Sequence, residues 1–228
     1  MRKIGILCPS DTELAPFLPH IKEVKITEKA MLKVYEGMIG QMRVAALYSG
    51  VCKVNAAIAA QILIDTFQAE AIINAGVAGG MEESVELFDT IIAARSVYHD
   101  VARDILTEFH PWMESVYFKA DKELLAAAKE YAKESVLPIR FGTIATGEKF
   151  IEDAGRAEIN QAFAPLAVDM ETAGAAHVCY VNGTPFLAVR TITDTAAHIG
   201  AEHFEQNCEK ASAIAAEVVM GILAKRNI

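Results

Sequence analysis

Apolar positions along this chain switch between alternation, unbroken runs and a helical period, and each switch marks the edge of an element. Residues 3–9 (Lys-Ile-Gly-Ile-Leu-Cys-Pro) read as a buried strand stopped by Pro9. Ser10 or Asp11 then caps a short helix reaching about Leu18, made irregular by Pro16 and ended by Pro19. Runs at 22–28, 32–39 and 42–48, punctuated by Gly37, Gly40 and Gly50, predict an antiparallel meander. Helical spacing follows over 53–67, through Ala56, Ala60, Ile64 and Phe67.

Residues 69–75 form an apolar strand broken by Glu70 and Asn74, which runs into a glycine-rich turn at 76–80. Further strands are predicted at 89–98, 138–145 and 186–192, and helices at 121–134, 154–163, from about Met170 to Val181, and from about Glu202 to Lys225. Strands alternating with helices indicate a mixed α/β sheet covered by helices on both faces, and the early meander argues against an all-parallel sheet.

Composition narrows the class. A chain of 228 residues, 53% apolar and 22% charged, fits a single globular domain over 1–228. Its formal charge is −9, from 30 acidic and 21 basic residues. The basic ones are scattered, so a nucleic acid is not expected as a partner. Cys8, Cys52, Cys179 and Cys208 show no CxxC spacing and read as free, reduced thiols. Met1-Arg2-Lys3 is not followed by a long apolar h-region, and no apolar run is long enough for a membrane span. The expectation is a soluble, cytoplasmic protein with no membrane partner.

Candidate chemistry sits where buried strands end. Glu13, the 76–80 glycines, the Phe150-Ile151 pair and Asp194 each follow a predicted strand, the edge where ligands bind in open α/β sheets. Taken singly, each carboxylate reads more readily as structural. Glu13 and Glu171 suit a helix dipole, and Asp194 suits a turn. The glycines lack the spacing of a dinucleotide fingerprint or a P-loop, and no GxSxG occurs. The six scattered histidines argue against a metal site, and no cofactor is expected.

Several segments occur together in one order: Lys3-Ile4-Gly5-Ile6 before Glu13, Ser49-Gly50-Val51-Cys52-Lys53-Val54-Asn55-Ala56, and Ile73-Asn74-Ala75-Gly76-Val77-Ala78-Gly79-Gly80. Tyr98-His99-Asp100, Phe118-Lys119-Ala120-Asp121, Val168-Asp169-Met170-Glu171 and Arg190-Thr191-Ile192-Thr193-Asp194 complete the set. The set resembles the bacterial 5′-methylthioadenosine/S-adenosylhomocysteine nucleosidases, within the purine nucleoside phosphorylase-like superfamily. The resemblance implies a three-layer α/β/α sandwich around a central mixed sheet, a homodimer, an adenine nucleoside as substrate and a place in methionine salvage. It also implies roles. Glu13 would activate the attacking water and Asp194 would protonate the departing purine. Glu171 would hold the ribose hydroxyls with Met170 packed on the sugar. Phe150 would stack on adenine, the Ile151 backbone would read its edge, and Phe204 would close over the sugar. Pro9, Val51, Val77, Ala78, Gly79 and Thr193 fall in the matching segments and would line the site.

The chain departs from the family pattern at Val77 and Thr193, where serine is usual, at Cys52, where glycine is usual, and at Pro9 and Ser10. The stretch 101–117 shares little with it. Three rivals stand beside hydrolysis of a thioether nucleoside. A phosphorylase would need phosphate-binding cations, usually arginine, and the matching segments offer at most Lys53 or Arg190. A nucleosidase for a futalosine-like or deoxyadenosine-type nucleoside would use the same machinery. A non-catalytic nucleoside-binding protein would not need acid and base together.

Overall fold

The computed structural model describes residues 3–196 and 201–225, so the Met1-Arg2 start lies outside the described residues. The chain enters on β1 (Lys3–Cys8), a short helix α1 (Asp11–Leu14) and a 3₁₀ segment (Ala15–His20). The two prolines of that segment, Pro16 and Pro19, explain why the predicted helix tightens instead of continuing. The predicted meander follows as β2 (Lys22–Lys29), β3 (Leu32–Ile39) and β4 (Met42–Tyr48), and then α2 (Lys53–Asp65).

The central part alternates strand and helix. It contains β5 (Ala71–Gly80), β6 (Thr90–Tyr98), a short α3 (Ile105–Glu108), β7 (Phe118–Lys119), α4 (Lys122–Glu134) and β8 (Ile139–Thr146). The chain closes with α5 (Asp153–Phe163), β9 (Ala167–Asp169), α6 (Thr172–Asn182), β10 (Phe186–Asp194) and α7 (Ala201–Lys225).

These ten strands make one mixed sheet. β1 lies between β4 and β5, parallel to both, and β3 and β2 extend the edge antiparallel. At the other end the sheet closes on itself. β5 pairs with β10, β10 with β6, β6 with β8, β8 with β9, and β9 returns to β5.

Helices cover both faces. On one, Ala56, Ala59, Ala60 and Leu63 of α2 and Ala173, Ala175, Ala176 and Cys179 of α6 pack with Leu7, Leu47, Ile72 and Ala188. On the other, Leu14 and Phe17 join Leu124 and Ala128 of α4 and Val218, Val219 and Ile222 of α7 over Ile4, Ile6, Ile73 and Leu187. Small residues on α2 and α6 let the two helices approach closely: a Cβ at Gly174 would lie 2.9 Å from the Lys53 carbonyl oxygen.

Four sequence expectations are corrected. Residues 76–80 are the second half of β5, not a turn, because β10 pairs along their length and β9 caps the end. Thr193 and Asp194 likewise belong to β10, across a register shift between Ile192 and Asp194. Met170 and Glu171 precede α6, which begins at Thr172. Residues 167–169, 118–119 and 105–108 form short elements that their local sequence did not announce.

Candidate active site

Two large polar side chains lie fully buried in the central strands: Asn74 in β5 and Arg190 in β10. A buried guanidinium requires partners, and three carboxylates supply them. Arg190 Nε lies 2.9 Å from Asp169, Nη2 lies 3.4 Å from Glu171, and Nη1 lies 3.8 Å from Glu13 Oε1. Nη2 also donates to Asn74 Oδ1 at 2.7 Å, and Nε to Thr172 Oγ1 at 3.2 Å. Asn74 is held in turn, its Nδ2 donating to the Leu7 carbonyl. Removing the cation from such a cluster typically costs about 3–5 kcal/mol, since the carboxylates lose their offset.

Glu13 reaches this cluster from the first turn of α1. Ser10 caps that turn, accepting from the Glu13 N–H and donating its hydroxyl to Glu13 Oε2 at 2.6 Å. The other oxygen, Oε1, accepts the Val77 N–H at 2.9 Å. Only a glycine fits beside it: a Cβ at Gly76 would overlap Glu13 Oε1 and crowd Arg190 Nη1. Burial pushes the Glu13 carboxyl up, against the pull of Arg190, the Ser10 hydroxyl and the Val77 N–H.

Glu171 occupies the position before α6, where Oε1 accepts the Cys52 N–H at 2.9 Å from the start of α2. Burial raises its carboxyl to about 7, opposed by Arg190 and reinforced by Asp169. Asp169 is pinned from its other side, accepting from Thr146 Oγ1 at 2.6 Å and from the Thr172 hydroxyl.

Asp194 ends β10 opposite Gly79, where a Cβ would stand 3.0 Å from its Oδ2. Thr193 Oγ1 donates to Asp194 Oδ1 at 2.8 Å, and Asn207 of α7 donates to the Thr193 carbonyl at 2.9 Å. Burial pushes the Asp194 carboxyl up, while the Thr193 hydroxyl, Arg156 and His203 pull the other way. Two carboxyls, Glu13 and Asp194, thus flank the glycine-bearing half of β5 in different polar surroundings. Such a pair can divide acid and base work.

The apolar candidates distribute around these groups. Val77 packs with Cys208 and Ala211 of α7 and with Phe204, and Phe204 meets Phe150 edge-on at 6.1 Å between centroids. Ala78 is buried and its carbonyl faces the Thr193 hydroxyl. Pro9 is buried and Met170 half-buried. Ile151 packs on the Met81, Val97 and Ile159 cluster. Val51 is the outlying candidate: about half of it is exposed, and its carbonyl accepts from Asn55.

Sequence reasoning passed over Asp169, Asn74, Thr146, Thr172 and Asn207, and it weighed Arg190 only as a possible phosphate ligand. Asn74 and Arg190 did carry a signal, as polar residues inside apolar strands. The others gave none, because their partners are more than ten residues away along the chain, or in short elements. All four cysteines are free thiols. No helix among the described residues is long and apolar enough to cross a membrane.

Comparison with known proteins agrees on one family. A family model described as the phosphorylase superfamily matches residues 3–224. A 5′-methylthioadenosine/S-adenosylhomocysteine nucleosidase from Oceanobacillus iheyensis is 34% identical over 227 residues, covering 97% of this chain and 99% of its own. The crystal structure of the S-adenosylhomocysteine nucleosidase from Streptococcus pyogenes in complex with 5-methylthiotubericidin superposes with a TM-score of 0.92 at 30% identity, over 100% of this chain and 98% of that one. Futalosine hydrolase from Helicobacter pylori superposes with a TM-score of 0.90 at 25% identity, covering 98% of each.

Proposed function

Because the chain belongs to the phosphorylase superfamily, we propose that it is a nucleosidase. It splits the N-glycosidic bond of 5′-methylthioadenosine or S-adenosylhomocysteine with water, giving adenine and the 5-thioribose derivative. Nucleosidases at 34% identity over nearly full length support this reading. The observation that carries the choice of water over phosphate is the charge around Arg190. Its single guanidinium is already matched by Asp169, Glu171 and Glu13, so an incoming phosphate would meet an excess of negative charge.

In this reading the sugar becomes cationic as the bond breaks, and the purine is a poor leaving group unless protonated. Asp194, held toward its neutral form by burial, gives its proton to the purine ring. Glu13 takes a proton from the attacking water, whose oxygen forms the new bond to the sugar. Glu171 accepts the ribose hydroxyls, and its charge favours the cationic sugar. Met170 packs on the sugar, Phe150 stacks on the purine, the Ile151 backbone reads its edge and Phe204 covers the site. Pro9, Val51, Val77, Ala78, Gly79 and Thr193 line it.

The protein acts as a single domain without a cofactor, in the cytoplasm, within methionine salvage. Its free thiols suit a reducing compartment. It pairs as a homodimer. Exposed Val54 and Ile58 of α2, Tyr180 and Val181 of α6, and Ile105, Phe109 and Trp112 of the 101–117 stretch support an apolar contact surface.

The deciding experiment supplies methylthioadenosine to the purified protein with no phosphate present, and the expected product is free adenine. Strict dependence on phosphate, with a ribose-1-phosphate derivative as product, would refute hydrolysis. The likeness to futalosine hydrolase keeps a second substrate in view. A panel of nucleosides differing at the 5′ position, futalosine included, ranks the two by kcat/KM.

A further inference from the structure

Away from the carboxylates that surround Arg190, a second charged cluster joins three parts of the chain. Lys53 Nζ, at the start of α2, lies 2.7 and 2.8 Å from the two carboxylate oxygens of Asp100, just after β6. The same carboxylate accepts the Glu148 N–H at 2.9 Å, just after β8. Glu148 completes the circuit, its Oε1 accepting the Lys53 N–H at 3.0 Å. Lys53 Nζ also lies over the Tyr98 ring, 5.1 Å from its centroid.

Each arm leads to a candidate ligand contact. The Cys52 N–H, one residue before Lys53, holds Glu171. Phe150 and Ile151 follow Glu148 by two and three residues, and the Gly147 N–H donates to the Asp169 carbonyl at 3.1 Å. The backbone at Lys53 cannot drift, because Gly174 of α6 packs directly against it.

We propose that Lys53 and Asp100 are positioning residues, which lock the purine-facing 147–151 segment to the start of α2 and so fix its distance from Glu171. The proposal rests on the nucleosidase reading. These side chains are partly exposed. Exposed ion pairs contribute little to stability, so the cluster's structural role is geometric. Displacing a binding segment by about 1 Å can cost up to about a hundredfold in rate.

The test uses full-length Lys53→Met, Lys53→Arg and Asp100→Asn enzymes, with steady-state kinetics on methylthioadenosine, calorimetric binding of adenine and thermal melts. We expect KM and the adenine Kd to rise about tenfold or more in Lys53→Met and Asp100→Asn, with Tm nearly unchanged and partial rescue in Lys53→Arg. Wild-type KM and adenine affinity in both variants would overturn the proposal, as would losses that merely track a fall in Tm. Absence of adenine release by the wild-type enzyme would instead fault the nucleosidase reading on which it rests.

Discussion

Arg190 sits opposite Gly76 in the parallel β5–β10 register, and its guanidinium takes up space that a side chain at 76 would need. Glu13 occupies the rest of that space. The glycine therefore acts as a spacer that lets a cation and a carboxylate lie over one strand.

Gly76→Ala should displace Glu13 or Arg190 and destabilise the fold by about 1–3 kcal/mol. Activity should fall further than stability, because Glu13 is the group proposed to take a proton from the water. Gly79→Ala, whose Cβ would stand 3.0 Å from Asp194 Oδ2, should be milder. Urea unfolding beside steady-state kinetics checks both, and a Gly76→Ala enzyme with wild-type kcat would place Glu13 outside the reaction.

With Glu13 as the proposed base and Asp194 as the proposed acid, the rate should follow a bell against pH. Glu13 works as a base only when ionised, so activity falls as pH drops through its raised pKa. Asp194 works as an acid only when protonated, so activity falls as pH rises through its own raised value. Asp194→Asn should lower turnover by about a hundredfold or more while keeping much of the nucleoside affinity. Unchanged turnover in that variant would remove Asp194 from the acid role.

Stability should depend on pH through Glu171. Its folded carboxyl titrates at about 7, above the ordinary 4.5, so the folded state keeps a proton that the unfolded chain has lost. The contribution is fully present below about 4.5 and is lost as pH rises through about 7, an effect on the order of 3 kcal/mol. Denaturant midpoints between pH 5 and 8 measure the slope, and Glu171→Gln should flatten it. An equal slope in that variant would assign the proton elsewhere.

Cys52 adopts φ 83° and ψ 162°, a region that strains any residue but glycine. Cys52→Gly should therefore stabilise the protein, by about 1 kcal/mol, without moving the N–H that holds Glu171. A thermal melt decides it, and a destabilised variant would show that the thiol's contacts outweigh the strain.

Much of this was legible in the residues and some was not. Helix α4 declared itself by its period, because one face of it is buried, and β6 by its run of consecutive buried apolar residues. The glycines at 76–80 were misread as a turn, since local chemistry cannot distinguish glycines that bend a chain from glycines that clear room over a strand. The order of Glu13, Glu171 and Asp194 within matching segments was readable. The link of Glu13 and Glu171 to Arg190, Asp169 and Asn74 was not, because contacts between residues 13, 74, 169, 171 and 190 exist only once the sheet has formed.

The closed ring of β5, β10, β6, β8 and β9 has a consequence for where the chain tolerates substitution. Asp194, Arg190 and the glycines that accommodate them are built into strands paired on both sides, so a substitution there propagates to neighbours around the ring. The 101–117 stretch lies between β6 and β7 and adds no strand to the ring, although Leu106 and Met113 anchor it in the core. Substitutions at its exposed positions, such as Ile105, Phe109 and Trp112, should therefore leave the pairing of the ring intact, whereas substitutions within the ring strands should not.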